Sequence, residues 1–98
     1  MDAPTLAQVN ARVREVADRI QPLLAPHAGL ARRNAHAHAW LGIKTMFGEQ
    51  WRERADLGTV LAFVEWLDAN PNADYEAYDG PVRQRDLSER GLLFETGD

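Results

Sequence analysis

Two histidines and two carboxylates are the residues of this chain whose types and spacing could do chemistry. His36 and His38 stand two positions apart. On a helix that spacing points the two side chains roughly 200° apart, whereas a helical metal-binding pair needs a spacing of four. His27 lies in a Pro/Gly loop, and neither a cysteine nor a close acid accompanies the three histidines. The pattern therefore predicts no metal site.

The carboxylates Glu65 and Asp68 stand at i and i+3 of a predicted helix and could be drawn as an acid–base pair. A solvated acid pair on an exposed helix face is far commoner, and we interpret them so. Ser88 is the only serine and cysteine is absent, so no activated nucleophile is indicated. The glycines form no phosphate-binding loop before a helix. We therefore predict that the protein is not an enzyme and binds no cofactor.

The composition bounds the class of protein. Ninety-eight residues make one domain, and 45% hydrophobic with 27% charged residues is typical of a globular chain. No apolar run could span a bilayer, and residues 1–8 do not have the pattern of a secretory signal. The absence of cysteine favours a reducing compartment. We expect a cytoplasmic protein without a membrane partner.

The net charge of −4 is unevenly distributed. Residues 1–55 hold eight Arg and Lys against five Asp and Glu, whereas residues 56–98 hold three against ten. A basic half can contact phosphate and an acidic half repels it. The simpler interpretation is an acidic tail that keeps the protein in solution. An acidic chain is not typical of stand-alone DNA binding, which needs cations to displace counterions.

Hydrophobic periodicity predicts an all-α fold. The first helix opens near Thr5, whose spacing from Gln8 fits a capping box, and Gly48 suits the end of the second helix. Either Asp56 or Thr59 is a suitable N-cap for the third helix. The predicted helices cover about residues 5–21, 30–47 and 57–69. They form a three-helix domain over residues 1–70, followed by an irregular acidic C-terminal arm over residues 71–98 in which one further short helix, 83–90, is an option.

Two of these helices carry distinct faces. The second helix is expected to bury His36, Trp40, Ile43 and Phe47, with His38 at the surface. The first helix has apolar residues at alternating spacings of three and four, which either pack inside the domain or pair with a second copy in a homodimer. The predicted self-association residues are Leu6, Val9, Val13, Val16 and Ile20.

Aromatic residues exceed what a core of this size needs, and arginines accompany some of them. Trp51 precedes Arg52 and Arg54, and Tyr75 and Tyr78 lie in the acidic arm. Aromatic side chains with nearby arginine are typical of interface hot spots. We predict these five residues as partner-binding residues. Two alternatives stay open, in which Trp51 folds back onto the core and the tyrosines pin the arm to its own domain.

Nucleic acid is the other candidate partner. The candidate contacts are Arg32, Arg33 and Lys44 of the second helix, together with Arg52 and Arg54 in the connection after it. The third helix carries no arginine or lysine and is therefore not suited to read bases or to contact phosphates. Direct DNA binding is disfavoured and is kept as an alternative.

Residues 32–69 resemble a known domain. His36, Trp40, Ile43, Lys44 and Phe47-Gly48, followed by Trp51 and by a helix with Phe63, Trp66 and Leu67, are similar to the C-terminal domain of phage antirepressor and Rha-type regulatory proteins. The resemblance implies a phage or prophage origin and a regulatory or interaction role, with no catalytic residue.

These observations lead to a functional hypothesis. We expect a phage- or prophage-type accessory protein that binds another protein and regulates or inhibits host or phage machinery. The alternative is a DNA-associated transcriptional regulator related to antirepressors, dimeric through the first helix.

Overall fold

The computed structural model describes residues 1–26 and 34–80, which are folded almost entirely into helices. The α-helices are α1 (Ala3–Ile20), α2 (Ala35–Phe47), α3 (Trp51–Arg54) and α4 (Leu57–Ala69), and two 3-10 turns cover Gln21–Leu23 and Tyr75–Ala77. No strand occurs within these two ranges. The predicted all-α fold is confirmed, and the three predicted helices correspond to α1, α2 and α4.

The three long helices begin at polar side chains that accept a hydrogen bond from the first turn. Asp56 Oδ1 accepts from the Thr59 amide at 2.8 Å at the start of α4, as predicted. Asp2 Oδ1 caps α1 in the same way, so the predicted start at Thr5 is wrong. Pro4 does not delay that helix, because its fixed φ and missing donor are tolerated in a first turn.

The cap of α2 also corrects its predicted start. Asn34 Oδ1 accepts from the Ala37 amide at 3.1 Å, and the Asn34 backbone is extended, with φ −97° and ψ 115°. A continuous helix from residue 30 is therefore wrong. Residues 27–33 lie outside the described residues. At its other end α2 stops at Gly48, as predicted. The positive φ of +89° favours glycine, but the ψ of 171° differs from the αL cap that the sequence predicted.

The core lies between α1, α2 and α4, with α1 packed on both of the others. Val9, Val13, Val16 and Ile20 are completely buried in it, and Leu6 packs against its edge. The prediction that this stripe forms a self-association surface is therefore wrong. These residues of α1 are covered because α2 and α4 both pack against this helix.

The buried face of α2 is made of three small residues and Ile43. Ala35, Ala39 and Gly42 lie on this face beside Ile43, and side chains as short as the first three let neighbouring helices approach closely. Ile43 is buried as predicted, whereas Trp40 and Phe47 are only partly buried against the core. His36 lies at the surface, with Nε2 3.1 Å from Asp18 Oδ1.

Arginines of α1 pair with the carboxylates of α4. Arg12 contacts Glu65 through Nε at 2.5 Å and Nη2 at 2.7 Å, and Arg19 contacts Asp68 through Nε at 2.9 Å and Nη2 at 2.6 Å. Glu65 is exposed, as interpreted, and Asp68 is partly exposed, but each carboxylate is also paired with an arginine of α1. These guanidinium hydrogen bonds hold the pKa of each carboxyl below its usual value. The pairs therefore stabilise the fold at neutral pH and lose that contribution as acid protonates the carboxylates.

Residues 71–80 belong to the domain rather than to a separate arm. Tyr78 is 5% exposed, and its ring meets the buried ring of Phe63 edge to face at 5.2 Å. Tyr75 approaches the same Phe63 ring at 6.2 Å. The predicted boundary at residue 70 is therefore too early. Residues 81–98, including the optional helix at 83–90, lie outside the described residues.

Gly42 provides the space for this packing. A Cβ atom at this position would lie 2.8 Å from Tyr75 Cε1 and 2.9 Å from Phe63 Cζ, closer than real Cβ contacts. The absence of a side chain at Gly42 therefore leaves room for the rings of Tyr75 and Phe63. At Gly58, on the first turn of α4, the nearest atom to an added Cβ would be Asp56 Oδ1 at 4.0 Å.

The same substitution should have opposite effects at these two glycines. Gly42→Ala should lower the free energy of unfolding by about 1–3 kcal/mol, because displacement of the rings outweighs the gain in helix propensity. Gly58→Ala should raise it by about 0.5 kcal/mol. Urea unfolding followed by circular dichroism measures both. A stabilising Gly42→Ala would contradict the packing of Tyr75 and Phe63 described above.

Candidate functional site

An open cleft of about 250 Å³ lies where α2 meets α3. It is lined by Trp40, Lys44, Glu49, Trp51 and Arg52. Two indoles, two cations and one carboxylate therefore meet at one place on the surface. Three of the predicted contact residues, Lys44, Trp51 and Arg52, are brought together here.

The turn after α2 creates the cleft. Because Gly48 has a positive φ of +89°, the chain reverses and α3 places Trp51 against Trp40 on the preceding helix. The two indole rings stack with centroids 6.0 Å apart and planes at 27°. Trp51 is 4% exposed, whereas Trp40 keeps part of its surface in solvent. The prediction that Trp51 folds back onto the core is confirmed.

Arg52 lies over the buried indole. Its guanidinium carbon is 4.8 Å from the centroid of the Trp51 ring, a distance at which a cation–π contact is favourable. No hydrogen-bond or ion-pair acceptor for this guanidinium occurs in residues 1–26 and 34–80. Its main-chain carbonyl accepts from the Met1 ammonium group. Arg52 is exposed, so the N–H donors of this guanidinium are accessible to a partner.

Lys44 supplies the second cation of the cleft. Its Nζ lies 3.6 Å from Glu49 Oε2, and the side chains are 56% and 80% exposed. The distance is longer than an ordinary hydrogen bond, and an ion pair this exposed is weak. Lys44 is therefore available to a second carboxylate.

The structure corrects the predicted role of Trp51. At 4% exposure its indole offers a partner almost no surface, because it is covered by Trp40 and Arg52. It is a support for Arg52 rather than a contact. Arg54 is exposed on α3 and does not line the cleft.

Tyr75 is an anchor within the domain and lies away from the cleft. Its hydroxyl donates to the His38 carbonyl at 2.6 Å and lies 2.8 Å from His38 Nδ1. The His38 Nε2 atom is 3.0 Å from the Pro71 carbonyl oxygen. The expectation that His38 is a surface residue is therefore wrong. This histidine ties residues 71–75 to α2.

Tyr78 has a different environment. Its hydroxyl is buried and has no hydrogen-bond partner within the described residues, and burial raises its pKa. These contacts support the alternative that the tyrosines pin this segment to its own core. Tyr78 is too buried to offer its ring to a partner, whereas Tyr75 is only partly buried and its partner-binding role stays a prediction.

The remaining predictions concern nucleic acid, metals and membranes. Arg32 and Arg33, two of the predicted nucleic-acid contacts, lie outside the described residues. Of the others, Lys44 and Arg52 line the cleft and Arg54 does not. The described residues contain no group of three or more side chains placed to hold a metal ion. None of their helices is long and apolar enough to cross a membrane.

Sequence reasoning missed two members of the cleft, Trp40 and Glu49. The predicted inner face of α2 places Trp40 in the core. Its spacing of four from Lys44 puts both side chains on one side of α2, which is the signal that could have identified the pair. The stack on Trp51 depends on the conformation at Gly48 and on the unpredicted helix α3.

Comparison of the chain with protein-family models, with curated proteins and with solved structures gives no match. The resemblance of residues 32–69 to the C-terminal domain of phage antirepressor and Rha-type proteins therefore stays a prediction.

Tyr75 and Tyr78 allow a matched test of the different environments described for their hydroxyl groups. Tyr75→Phe should lower the free energy of unfolding by about 1–2 kcal/mol, because it removes the hydroxyl bonded to His38. Tyr78→Phe should leave it unchanged or raise it by up to about 1 kcal/mol, because it removes a buried hydroxyl without a partner. Urea unfolding compares the two variants with the unmodified chain. Equal losses in both would contradict the different environments of these hydroxyls.

Proposed function

We propose that the protein acts by binding another protein, with the cleft of Trp40, Lys44 and Arg52 as the centre of its contact surface. The observation that carries the proposal is the Arg52 guanidinium, which lies over Trp51 with no acceptor among the described residues. Fixing an arginine in this way reduces the side-chain entropy that an interface must otherwise remove on binding. Arginine and tryptophan are also the residues most enriched at interface hot spots.

The helix face beside the cleft supports the same function. Leu41 is 57% exposed and precedes Lys44 by three positions, so the two lie on one side of α2. An exposed leucine next to a partly exposed indole and two cations combines the apolar centre and polar rim of a protein contact. The proposed contact surface therefore extends from Arg52 across the cleft to Leu41.

The chemistry of the cleft favours binding over catalysis. Its lining provides no hydroxyl or thiol nucleophile. Its one carboxylate, Glu49, is strongly exposed and faces Lys44. Two cations over an indole floor can hold and orient an anion. They offer no pair of groups for the transfer of a proton during a reaction.

The biological role follows the sequence-based hypothesis. We propose a cytoplasmic accessory protein of phage or prophage type that regulates or inhibits host or phage machinery, supported by the resemblance of residues 32–69 and by the absence of cysteine. The alternative, a DNA-associated regulator dimeric through α1, is less favoured. The α1 stripe is buried in its own core, and Glu49 lines the cleft beside its two cations.

Selection from a displayed random-peptide library tests the function even though the partner is not known. We expect the unmodified protein to enrich binding peptides. Reversal of both cleft charges, Lys44→Glu with Arg52→Glu, should weaken their binding about 10-fold or more. Arg14→Glu is the matched control, because Arg14 is an exposed arginine of α1 outside the cleft.

The results of this selection distinguish an error in the proposed contact surface from an error in the proposed function. Binding that survives the double charge reversal would place the contact surface elsewhere. Enrichment of duplex DNA sites by the same protein, without any enriched peptide, would contradict protein binding and favour the DNA-associated alternative.

A further inference from the structure

We infer that the cleft recognises an acidic peptide segment, with an Asp or Glu carboxylate held between Arg52 and Lys44 and a neighbouring apolar side chain against Trp40. The inference rests on the proposed protein-binding function and specifies the chemistry of the partner.

The guanidinium of Arg52 is arranged to accept a carboxylate. Its guanidinium carbon lies over the Trp51 ring, 4.8 Å from the ring centroid. The N–H donors of the group have no acceptor among the described residues and remain for hydrogen bonds with a ligand. Such a planar fork matches the two oxygens of a carboxylate, which it can bind through two parallel hydrogen bonds.

Lys44 adds a second positive charge that a ligand can recruit. Its contact with Glu49 spans 3.6 Å between two strongly exposed side chains. An incoming carboxylate placed nearer to Lys44 competes with this pair at little cost, because the pair is already solvated. The ammonium group can then move between the two acids on its flexible chain.

The dimensions of the cleft indicate a peptide side chain as the occupant. A volume of about 250 Å³ is below the range of pockets that enclose a drug-sized ligand. The exposed part of Trp40 gives an apolar surface beside the cations, and Leu41 continues it along α2. One carboxylate followed or preceded by one apolar side chain satisfies both parts of this surface.

The charge around the cleft disfavours nucleic acid as the occupant. Glu49 lines the cleft, Glu53 follows on α3, and the chain carries a net charge of −4. Binding of a polyphosphate gains its affinity from several cations that displace counterions along the strand. Two cations beside one carboxylate suit a single anionic group, so the charges of Arg52 and Lys44 are matched to a short acidic motif.

The test titrates the full chain with a pair of matched peptides. The probe is acetyl-Gly-Glu-Leu-Asp-Gly-amide, and its neutral counterpart carries Gln and Asn in place of Glu and Asp. The indole N–H signals in proton–nitrogen NMR spectra report binding. Trp40 and Trp51 line the cleft, whereas Trp66 packs on Phe63 and Tyr78 and serves as the internal reference.

We expect the acidic peptide to shift the Trp40 and Trp51 signals and to leave Trp66 unchanged. The neutral peptide should bind about 10-fold more weakly, since it loses the charge-assisted hydrogen bonds. Arg52→Gln should weaken the acidic peptide by about the same factor, and Arg52→Lys should fall between them because it keeps the charge but not the fork. Arg14→Gln is the control and should bind normally.

Other results would overturn the inference. Equal affinity for the two peptides would show that the cleft binds only their apolar groups. An absence of shifts with both peptides would show that the cleft does not bind this peptide motif. Tighter binding of an eight-residue oligothymidine at the same indoles would assign the cleft to nucleic acid. Protein binding itself is judged separately by the library selection, where enriched peptides without acidic residues would support the proposed function and contradict this inference.

Discussion

The fold depends on one buried ring, Phe63 of α4. It meets Phe47 of α2 and the rings of Tyr75 and Tyr78 edge to face, at centroid distances of 5.9, 6.2 and 5.2 Å, and it stacks on Trp66 at 5.7 Å. Such pairs add about 0.5–1.5 kcal/mol each beyond the area that they bury. A single side chain therefore joins α2, α4 and the segment after α4. This arrangement requires the missing side chain at Gly42, which leaves room for two of the rings.

The helix that Phe63 holds through Phe47 also carries the candidate site, on another part of its surface. Phe63 fixes the end of α2, and Gly48 then turns the chain so that Trp51 stacks on Trp40. The cleft is thus built on a helix that the core holds rigidly. Because Arg52 stands over a buried indole and not on a flexible loop, its position is set before any partner arrives. This is the property that favours a binding role for a surface so small.

Local signals in the sequence are sufficient to predict the helices and some residues of the candidate site. The apolar period predicts α1 and α4, and Gly48 and Asp56 mark an end and a start because their backbone roles are local. The predicted buried face of α2 is correct at Ile43 but misses Ala35, Ala39 and Gly42, since the prediction follows the large side chains. Lys44, Trp51 and Arg52 are all identified from the sequence: Trp51 and Arg52 as partner-binding residues, and Lys44 with Arg52 as possible nucleic-acid contacts.

The other errors and omissions concern contacts between residues far apart in the chain. Glu65 pairs with an arginine 53 residues away, and Tyr75 bonds to His38 across 37 residues. Periodicity describes one helix at a time and contains no information on which arginine of α1 faces which acid of α4. The burial of Tyr78 likewise depends on the path of the chain after α4, which no local motif indicates.

The most direct test of a preset binding cleft is the NMR spectrum of the free protein. Such a cleft requires the guanidinium of Arg52 to be held over an indole before binding. We predict nuclear Overhauser contacts between the Trp40 and Trp51 rings, together with upfield ring-current shifts for the Arg52 side-chain protons that lie over Trp51. Random-coil shifts for Arg52, with no contact between the two indoles, would contradict the preset cleft.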